Sequence, residues 1–440
     1  SSCASRISNP SQYNRGMRLS GLTVVLAVCI PLLAQSDEKE RVRAVRDLGK
    51  QGSEAIPKLQ SYLSDASLNV RIEAVKAIVE IGTQHSLDPL IQATRDNDPE
   101  IQIRATDGLV NFYLPGYVQT GLTARIRRAG DRISGMFTDT NDQVIDPYIT
   151  PRPEVIEAIG KLARGGISME SRANAARAIG ILRGKAAIPD LIEALRSKND
   201  QVIYESLIAL QKIRDPQAAP QITFLLRDLD EKIQIAAIET TGILRNEEAL
   251  PALREAFQRA RSKKIQRAAL TAIAMIPKEE NRDLYVKFFN DKDAEIRTAA
   301  AEGFGRLGNP NDLERLENAF NNERKTGPRL ALAFAIVGVG KTEVSEFSAL
   351  QYLINNLNSR AWRGVAQPYL IELSRKPEVR KALYPALQKG TREEKIGLAQ
   401  ILARTGDSET VPYLEKLSSD DDREVAQEGL RAVKTLKARL

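Results

Sequence analysis

A single pattern of apolar and polar positions repeats along the chain from about residue 38 to its end. Its clearest instance is the stretch 67–82, in which Val70, Ala74, Ile78 and Ile81 are spaced by four, four and three residues. Residues with this spacing lie on one face of an α-helix. Positions equivalent to Val70, called marker positions below, recur at intervals of 31–34 residues with one interval of 70, and they are Ile101, Ser171, Val202, Ile233, Ile265, Ile296, Pro328, Trp362, Glu394 and Val425.

Other residues mark where the predicted helices begin. Three positions before most markers stands a residue such as Ser67, Asp98 or Asn199, whose side chain can cap a helix start. A shorter apolar segment such as AIPKLQSYL precedes each marker helix, and in four of these segments a proline stands at the start, where its missing N–H costs nothing, as Pro57, Pro189, Pro251 and Pro412. Each unit is therefore two helices joined by a turn, and such units stack in series. The sequence predicts an all-α fold, a right-handed α-solenoid of about eleven helix–turn–helix repeats of about 31 residues.

The turn between the helices carries a paired motif. An aspartate is followed by an arginine six residues later in Asp65/Arg71 and again in Asp291/Arg297. This pattern resembles that of HEAT repeats, and the short period is similar to the compact HEAT-like repeats of phycobilin lyases. The resemblance implies that the aspartate–arginine pairs form a ladder between neighbouring repeats and that the second helices line a concave groove.

The repeat pattern also divides the chain. The resemblance covers residues 54–113 and 152–440, and the 70-residue interval contains one repeat and an insertion of about 39 residues. Four segments are predicted: an N-terminal extension with a signal peptide at 1–34, N-terminal repeats at 35–113, an insertion at 114–151, and C-terminal repeats at 152–440 that continue the first block.

The N-terminal segment has the character of an export signal. Arg18 precedes an apolar run from Leu22 to Ala34, which is too short to span a membrane but suits a signal peptide. We therefore expect cleavage near Ala34 and a periplasmic or secreted protein. The alternative is membrane anchoring, through the uncleaved segment or a lipidated Cys29.

The insertion contains a short basic amphipathic stretch. Leu122, Ile126, Ala129, Ile133 and Phe137 follow helical spacing. A basic amphipathic segment can lie on an anionic membrane surface or on a partner protein. The arginines that flank this apolar stripe are Arg125, Arg127, Arg128 and Arg132.

Charge and composition limit the chemistry. With 64 Lys and Arg against 57 Asp and Glu, the chain has a formal charge of +7, which is small for 440 residues and gives no reason to expect nucleic-acid binding. His85 is the only histidine, and both cysteines precede the predicted cleavage site. Cysteine–histidine pairs and Cys/His zinc sites are therefore excluded from the mature chain. No catalytic residue, cofactor site or metal site is predicted.

These observations predict a protein that is not an enzyme. Its function would be that of a scaffold of the bacterial cell envelope, which binds a partner protein in the groove and through the insertion. Two alternatives stay open: a HEAT-like lyase or other enzyme that uses carboxylates, and weak binding to nucleic acid or another anionic surface. The predicted groove residues are Glu73, Arg104, Arg177, Ile208, Lys212, Ile243, Met275 and Arg306.

Overall fold

The structure is a computed structural model that describes residues 37–118 and 143–440. The predicted signal peptide and Cys29 lie outside the described residues, so export stays a prediction. The same holds for the predicted membrane or partner contact of Arg125, Arg127, Arg128 and Arg132. Within the described ranges, no helix is both long enough and apolar enough to cross a membrane.

The described ranges contain helices and no β-strand, which confirms the predicted all-α repeat fold. The first helices of the repeats are α2 (Ile56–Ser61), α4 (Leu87–Ala93), α6 (Pro153–Gly165), α8 (Ile188–Ala194), α11 (Leu250–Gln258), α13 (Arg282–Phe288), α15 (Leu313–Asn322), α17 (Ala349–Asn355), α19 (Pro377–Lys389) and α21 (Val411–Leu417). The second helices are α1 (37–49), α3 (Leu68–Ile81), α5 (Pro99–Tyr113), α7 (Met169–Ile181), α9 (Asp200–Ile213), α10 (Glu231–Ile243), α12 (Lys263–Ala274), α14 (Ala294–Leu307), α16 (Thr326–Gly338), α18 (Arg363–Leu373), α20 (Arg392–Thr405) and α22 (Arg423–Lys437).

The second helices begin at the predicted caps. Asp98 accepts a hydrogen bond from the backbone N–H of Ile101 at 3.2 Å, and Asn199 accepts one from Val202 at 3.1 Å. These side chains satisfy N–H groups that have no partner within the helix. Gly308 ends α14 with φ 66°, a left-handed conformation that glycine adopts without strain.

The second helices of successive repeats pack against one another through small residues. In the larger unit described below, the contacts include α7 with α9, α12 with α14, and α14 with α16. Ala175, Ala237 and Ala300, each four residues after a marker, are fully buried. The small side chains let the helix backbones approach closely.

The chain forms two compact units, Ser1–Pro89 and Leu90–Leu440, and the boundary falls inside α4. In the first unit, α2 packs on α3. The second unit contains α5 to α22 and every residue of the candidate site described below.

The predicted aspartate–arginine pairs have a specific geometry. Arg71 Nη1 donates to the backbone carbonyl of Asp65 at 3.0 Å, and Arg297 Nη1 donates to the carbonyl of Asp291 at 2.7 Å. Arg297 also pairs with Glu323, a residue of the next repeat, at 2.9 Å. Arg297 therefore links its own turn to the following repeat, as the resemblance implies.

The described end of the insertion belongs to the second unit's core. Ile145 is 2% exposed, and its N–H donates to the carbonyl of Ile181 at 3.0 Å. Asp146 pairs with Arg431 of α22 at 2.6 Å. Residues 143–149 therefore connect α7 with the last helix, whereas residues 119–142 lie outside the described part of the chain.

Candidate functional site

An ionisable carboxyl lies where α5 packs against α7. Asn174 Nδ2 donates to Asp107 Oδ1 at 3.0 Å; Asn174 is buried and Asp107 is half-buried. Burial raises the pKa of Asp107 to about 6, and the hydrogen bond from Asn174 and the charge of Arg177 only partly oppose that effect. Asp107 therefore changes its charge close to neutral pH.

A fixed ion pair lies beside this carboxyl, between α7 and α9. Arg177 Nη2 donates to Glu205 Oε1 at 2.7 Å, and Arg177 Nε donates to Oε2 at 3.2 Å. Glu205 also accepts a hydrogen bond from Gln201 at 2.6 Å. Burial opposes the charge of Arg177, but the bonds to Glu205 raise its pKa overall, so Arg177 stays positive at every physiological pH.

The chain that follows α5 adds a phenol. Burial is the largest cause that raises the pKa of Tyr117 to about 12, and the negative charge of Asp107 acts in the same direction. The hydroxyl therefore stays protonated at neutral pH and is available as a hydrogen-bond donor. Close by on α9, Lys212 Nζ donates to the carbonyl of Gln143 at 3.4 Å, at the point where the described chain resumes.

We refer to Asp107, Tyr117, Asn174, Arg177 and Glu205 as the Asp107 cluster. It combines a carboxyl that ionises near neutral pH, a neutral phenol and a permanent cation. Groups with shifted pKa values are typical of acid–base sites, because proton transfer is most efficient when the pKa lies near the working pH. Within the described ranges the hydrogen bond from Asn174 engages Oδ1 of Asp107 and none engages Oδ2.

The predicted groove residues do not all meet. Arg177 lies in the Asp107 cluster, and Ile208 and Lys212 follow on α9, where Ile208 is 8% exposed. Arg104 pairs with Glu100 of its own helix at 2.8 Å, and Glu73 accepts a hydrogen bond from Arg46 at 2.8 Å within the first unit. Their contact with a partner stays a prediction.

The other predicted groove residues lie further along the second unit. Ile243 and Met275 are half-buried at the ends of α10 and α12. Arg306 is 8% exposed in its side chain and pairs with Glu302 at 2.9 Å and with Glu372 at 3.0 Å. These carboxylates raise the pKa of Arg306 although burial opposes its charge. Arg306 therefore has acidic partners within the chain itself.

Sequence reasoning missed most of the Asp107 cluster. A signal does exist, since Asp107 and Arg177 stand six residues after their markers, and Asn174 and Glu205 stand three after theirs. Each contact thus joins the sixth position of one repeat to the third position of the next. Complementary polar residues at these two offsets would have indicated the cluster, but burial and the pKa shift require the packed structure.

The part of the chain that the structure describes brings no set of metal ligands together. In residues 37–118 and 143–440, no group of three His, Cys, Asp or Glu side chains could hold a metal ion. His85 lies in the first unit, in a short 3-10 helix at Gln84–Ser86.

Comparison with known families assigns the repeats. The model of HEAT repeats matches residues 26–110, 188–263 and 254–336, which together make up just over half of the chain. The model of the PBS lyase HEAT-like repeat matches residues 171–197, which include Asn174 and Arg177.

Two curated proteins are similar in sequence. The chain is 25% identical to deoxyhypusine hydroxylase-B of Oryza sativa subsp. japonica over 245 residues, which cover 52% of this chain and 74% of the relative. It is 28% identical to the bilin biosynthesis protein PecE of Nostoc sp. (strain PCC 7120) over 197 residues, which cover 40% of this chain and 77% of PecE.

Two solved structures are distantly similar to the chain. The complex of CpcE and CpcF of phycocyanin lyase from Nostoc sp. PCC7120 has a TM-score of 0.37 at 17% identity, over 61% of this chain and 92% of that one. Importin beta has a TM-score of 0.35 at 11% identity, over 96% of this chain and 66% of that one.

The relatives correct one prediction. The chain was expected not to be an enzyme, yet its similar proteins include a hydroxylase and a protein of bilin biosynthesis. The expectation was wrong because repeat architecture carries no information about chemistry, which depends on individual sites. The extent of the HEAT match, together with the stacked helix pairs, shows that the chain belongs to the HEAT-repeat family.

Proposed function

We propose that this chain is a lyase-type HEAT-repeat protein that handles a bilin and uses Asp107 as its acid–base group. The observation that carries the proposal is the Asp107 carboxyl, which ionises near pH 6 and has one oxygen free of hydrogen bonds within the described ranges. At pH 7 to 8 most molecules carry the carboxylate, so Asp107 would act first as a proton acceptor.

The comparisons support this substrate class. The PBS lyase HEAT-like repeat match covers α7, which supplies two members of the Asp107 cluster, and the similarity to PecE points to bilin chemistry. A bilin is a flat conjugated molecule with ionisable groups. Arg177 and Tyr117 supply a cation and a hydrogen-bond donor beside Asp107, which suits the binding of such a molecule.

A protein partner is part of the proposal, because a lyase of this type joins its bilin to an acceptor protein. The predicted groove residues Ile243 and Met275 offer half-buried apolar surface, and Arg104 offers charge. An interface with apolar contacts and a polar rim is the usual arrangement for protein recognition.

The test uses the full chain with free biliverdin as the bilin and apo-phycocyanin as the acceptor. Bilin attached to the acceptor is measured by absorbance after denaturation, from pH 5 to 8. We expect the rate to rise through about pH 6 as Asp107 ionises. Asp107→Asn keeps the size of the side chain but removes the proton acceptor, so we expect its rate to fall by about 10²–10⁴-fold and to lose the step near pH 6.

The matched control is Asp421→Asn, a substitution at an exposed carboxylate. It should leave both the rate and the pH profile unchanged. If Asp107→Asn transfers bilin as fast as the wild type with the same profile, or if the wild type neither binds nor transfers bilin, the proposed function is wrong.

A further inference from the structure

Three consecutive second helices of the second unit end in an arginine with an unusual backbone. Arg183, Arg214 and Arg245 follow α7, α9 and α10, 31 residues apart, with φ angles of 50°, 57° and 53°. Among the described residues they are the only ones besides glycine with positive φ. The equivalent positions of some other repeats hold glycine with positive φ, as at Gly82 and Gly308.

This backbone conformation is unfavourable for arginine. A residue with a Cβ atom in the left-handed region costs roughly 1–2 kcal/mol relative to an ordinary conformation, whereas glycine adopts it freely. Backbone strain that recurs at the same point of three repeats indicates that the side chain is retained for another reason. What the three positions share is a long side chain with a permanent positive charge.

Two more arginines face this row from later repeats. Arg375 follows α18, and Arg404 lies in the last turn of α20. The end of α18 comes close to the row, because Arg245 Nη2 lies 3.1 Å from Glu372 Oε1, although the two residues are 127 positions apart.

The arginine charges act on one another. Burial is the largest cause that lowers the pKa of Arg183, followed by the charges of Arg404 and Arg214. Burial likewise lowers the pKa of Arg214, followed by the charges of Arg375 and Arg404. All four side chains nevertheless reach solvent. Protein therefore surrounds part of the Arg183 and Arg214 side chains, while water still reaches them.

Acidic residues do not neutralise these four arginines. Among the described residues, no carboxylate lies within 4.0 Å of Arg183, Arg214, Arg375 or Arg404. The carboxylates nearby are already shared: Glu372 pairs with Arg245 and Arg306, and Asp146 pairs with Arg431.

We propose that Arg183, Arg214, Arg375 and Arg404, here called the arginine cluster, bind a small polyvalent anion with at least two phosphate or carboxylate groups. Guanidinium groups bind such groups through paired hydrogen bonds. The axes of neighbouring packed helices lie about 8–10 Å apart. Arginines on adjacent repeats can therefore bind two anionic groups of one small molecule. This site is distinct from the Asp107 cluster, since Arg177 lies within α7 whereas Arg183 lies beyond its C-terminal end, six residues further along the chain.

Calorimetric titration of the full chain tests the site, with tripolyphosphate and citrate as phosphate and carboxylate probes in 150 mM NaCl, a salt concentration of about physiological strength. We expect saturable binding of at least one probe. Arg183→Gln combined with Arg214→Gln should weaken it at least tenfold. Arg183→Gly combined with Arg214→Gly should also abolish binding but keep or raise the melting temperature, because glycine removes the backbone strain.

The control pair is Arg196→Gln with Arg324→Gln, which removes two exposed arginines outside the cluster and should bind like the wild type. Binding that is equally strong in the Gln variant and the wild type would overturn the proposal. So would the absence of saturable binding with both probes, or binding of a polyglutamate peptide alone. The titration contains no bilin, so its outcome is separate from the test of Asp107.

Discussion

At the scale of single residues, Asp107 lowers the stability of the fold that holds it. Burial raises its pKa from 3.8 in a free carboxyl to about 6 in the folded chain. Between these two values the folded state binds more protons than the unfolded state, so stability falls as the pH rises. Above pH 6 the penalty is constant and on the order of 2–3 kcal/mol, because one pKa unit corresponds to about 1.4 kcal/mol.

Removing this charge should therefore stabilise the protein at alkaline pH. We expect Asp107→Asn to raise the free energy of unfolding by about 1–2 kcal/mol at pH 8 and to change it little at pH 4, where the wild-type carboxyl is already protonated. Urea denaturation at the two pH values measures the difference. Asp421→Asn, at an exposed position, should show no such pH dependence.

The opposite result would be informative. If Asp107→Asn is less stable than the wild type at pH 8, the carboxylate is stabilised by Arg177 more than it is penalised by burial. Gain of stability with loss of bilin transfer would instead match the trade-off common at functional sites.

Residue patterns predict local contacts better than electrostatic environments. Ser67, Asp98 and Asn199 could be identified as caps, because a cap depends only on the residues that follow it. The raised pKa of Asp107 could not be predicted in the same way. It depends on how closely α5 and α7 pack and on where the chain runs after α5.

At the scale of helices, close packing between α14 and α16 depends on glycine. A Cβ atom on Gly305 would lie 2.7 Å from Ala335 Cα, a backbone atom that cannot move aside alone. Phe334, whose ring stacks on Tyr369, would lie 3.0 Å away. The two helices would have to separate to admit a single methyl group.

We therefore expect Gly305→Ala to lower the free energy of unfolding by about 1–3 kcal/mol, the usual cost of overpacking a core. The higher helix propensity of alanine offsets only part of this loss. Gly364→Ala in α18 is the matched control, since no atom lies within 4 Å of its added Cβ, and it should be neutral or stabilising. Equal melting temperatures for the two variants would show that α14 and α16 adjust more easily than the distances indicate.

The order and type of helices could be predicted from the sequence, but two local departures from the regular repeat could not. Between α9 and α10 the first helix is replaced by a 3-10 helix at Pro216–Arg227, where Pro220 lacks the N–H that an α-helix would use. Trp362, although at a marker position, is half-buried and precedes α18. In that repeat the backbone turns at Ser359, whose hydroxyl accepts from the Trp362 N–H at 3.3 Å.

At the scale of the second unit, the end of the insertion at residues 143–149 contacts the repeats. Ile145 is buried, and its N–H is hydrogen-bonded to the end of α7. The physical reason is that residues 143–149 fill the space between α7 and α22, which the repeat pattern does not reveal.

Two variants distinguish the contribution of residues 119–142 to stability from that of Ile145. Deletion of residues 119–142 with a short glycine–serine linker should change the melting temperature little, because the repeats on either side pack without it. Ile145→Ala should lower the free energy of unfolding by about 2–4 kcal/mol, the usual cost of a cavity of this size. Comparable losses in both variants would show that residues 119–142 are part of the core.

The contact between Asp146 and Arg431 joins residues 285 positions apart, and this contact affects how the second unit unfolds. In an open array each repeat touches only its neighbours, so the last helix can fray without disturbing the rest. Here Arg431 and Lys434 of α22 hold the segment that contains Ile145, so the terminal helix and this segment open as one cooperative event. Amide hydrogen exchange should then show equal protection for Ile145 and for α22, and Arg431→Ala should speed exchange at both.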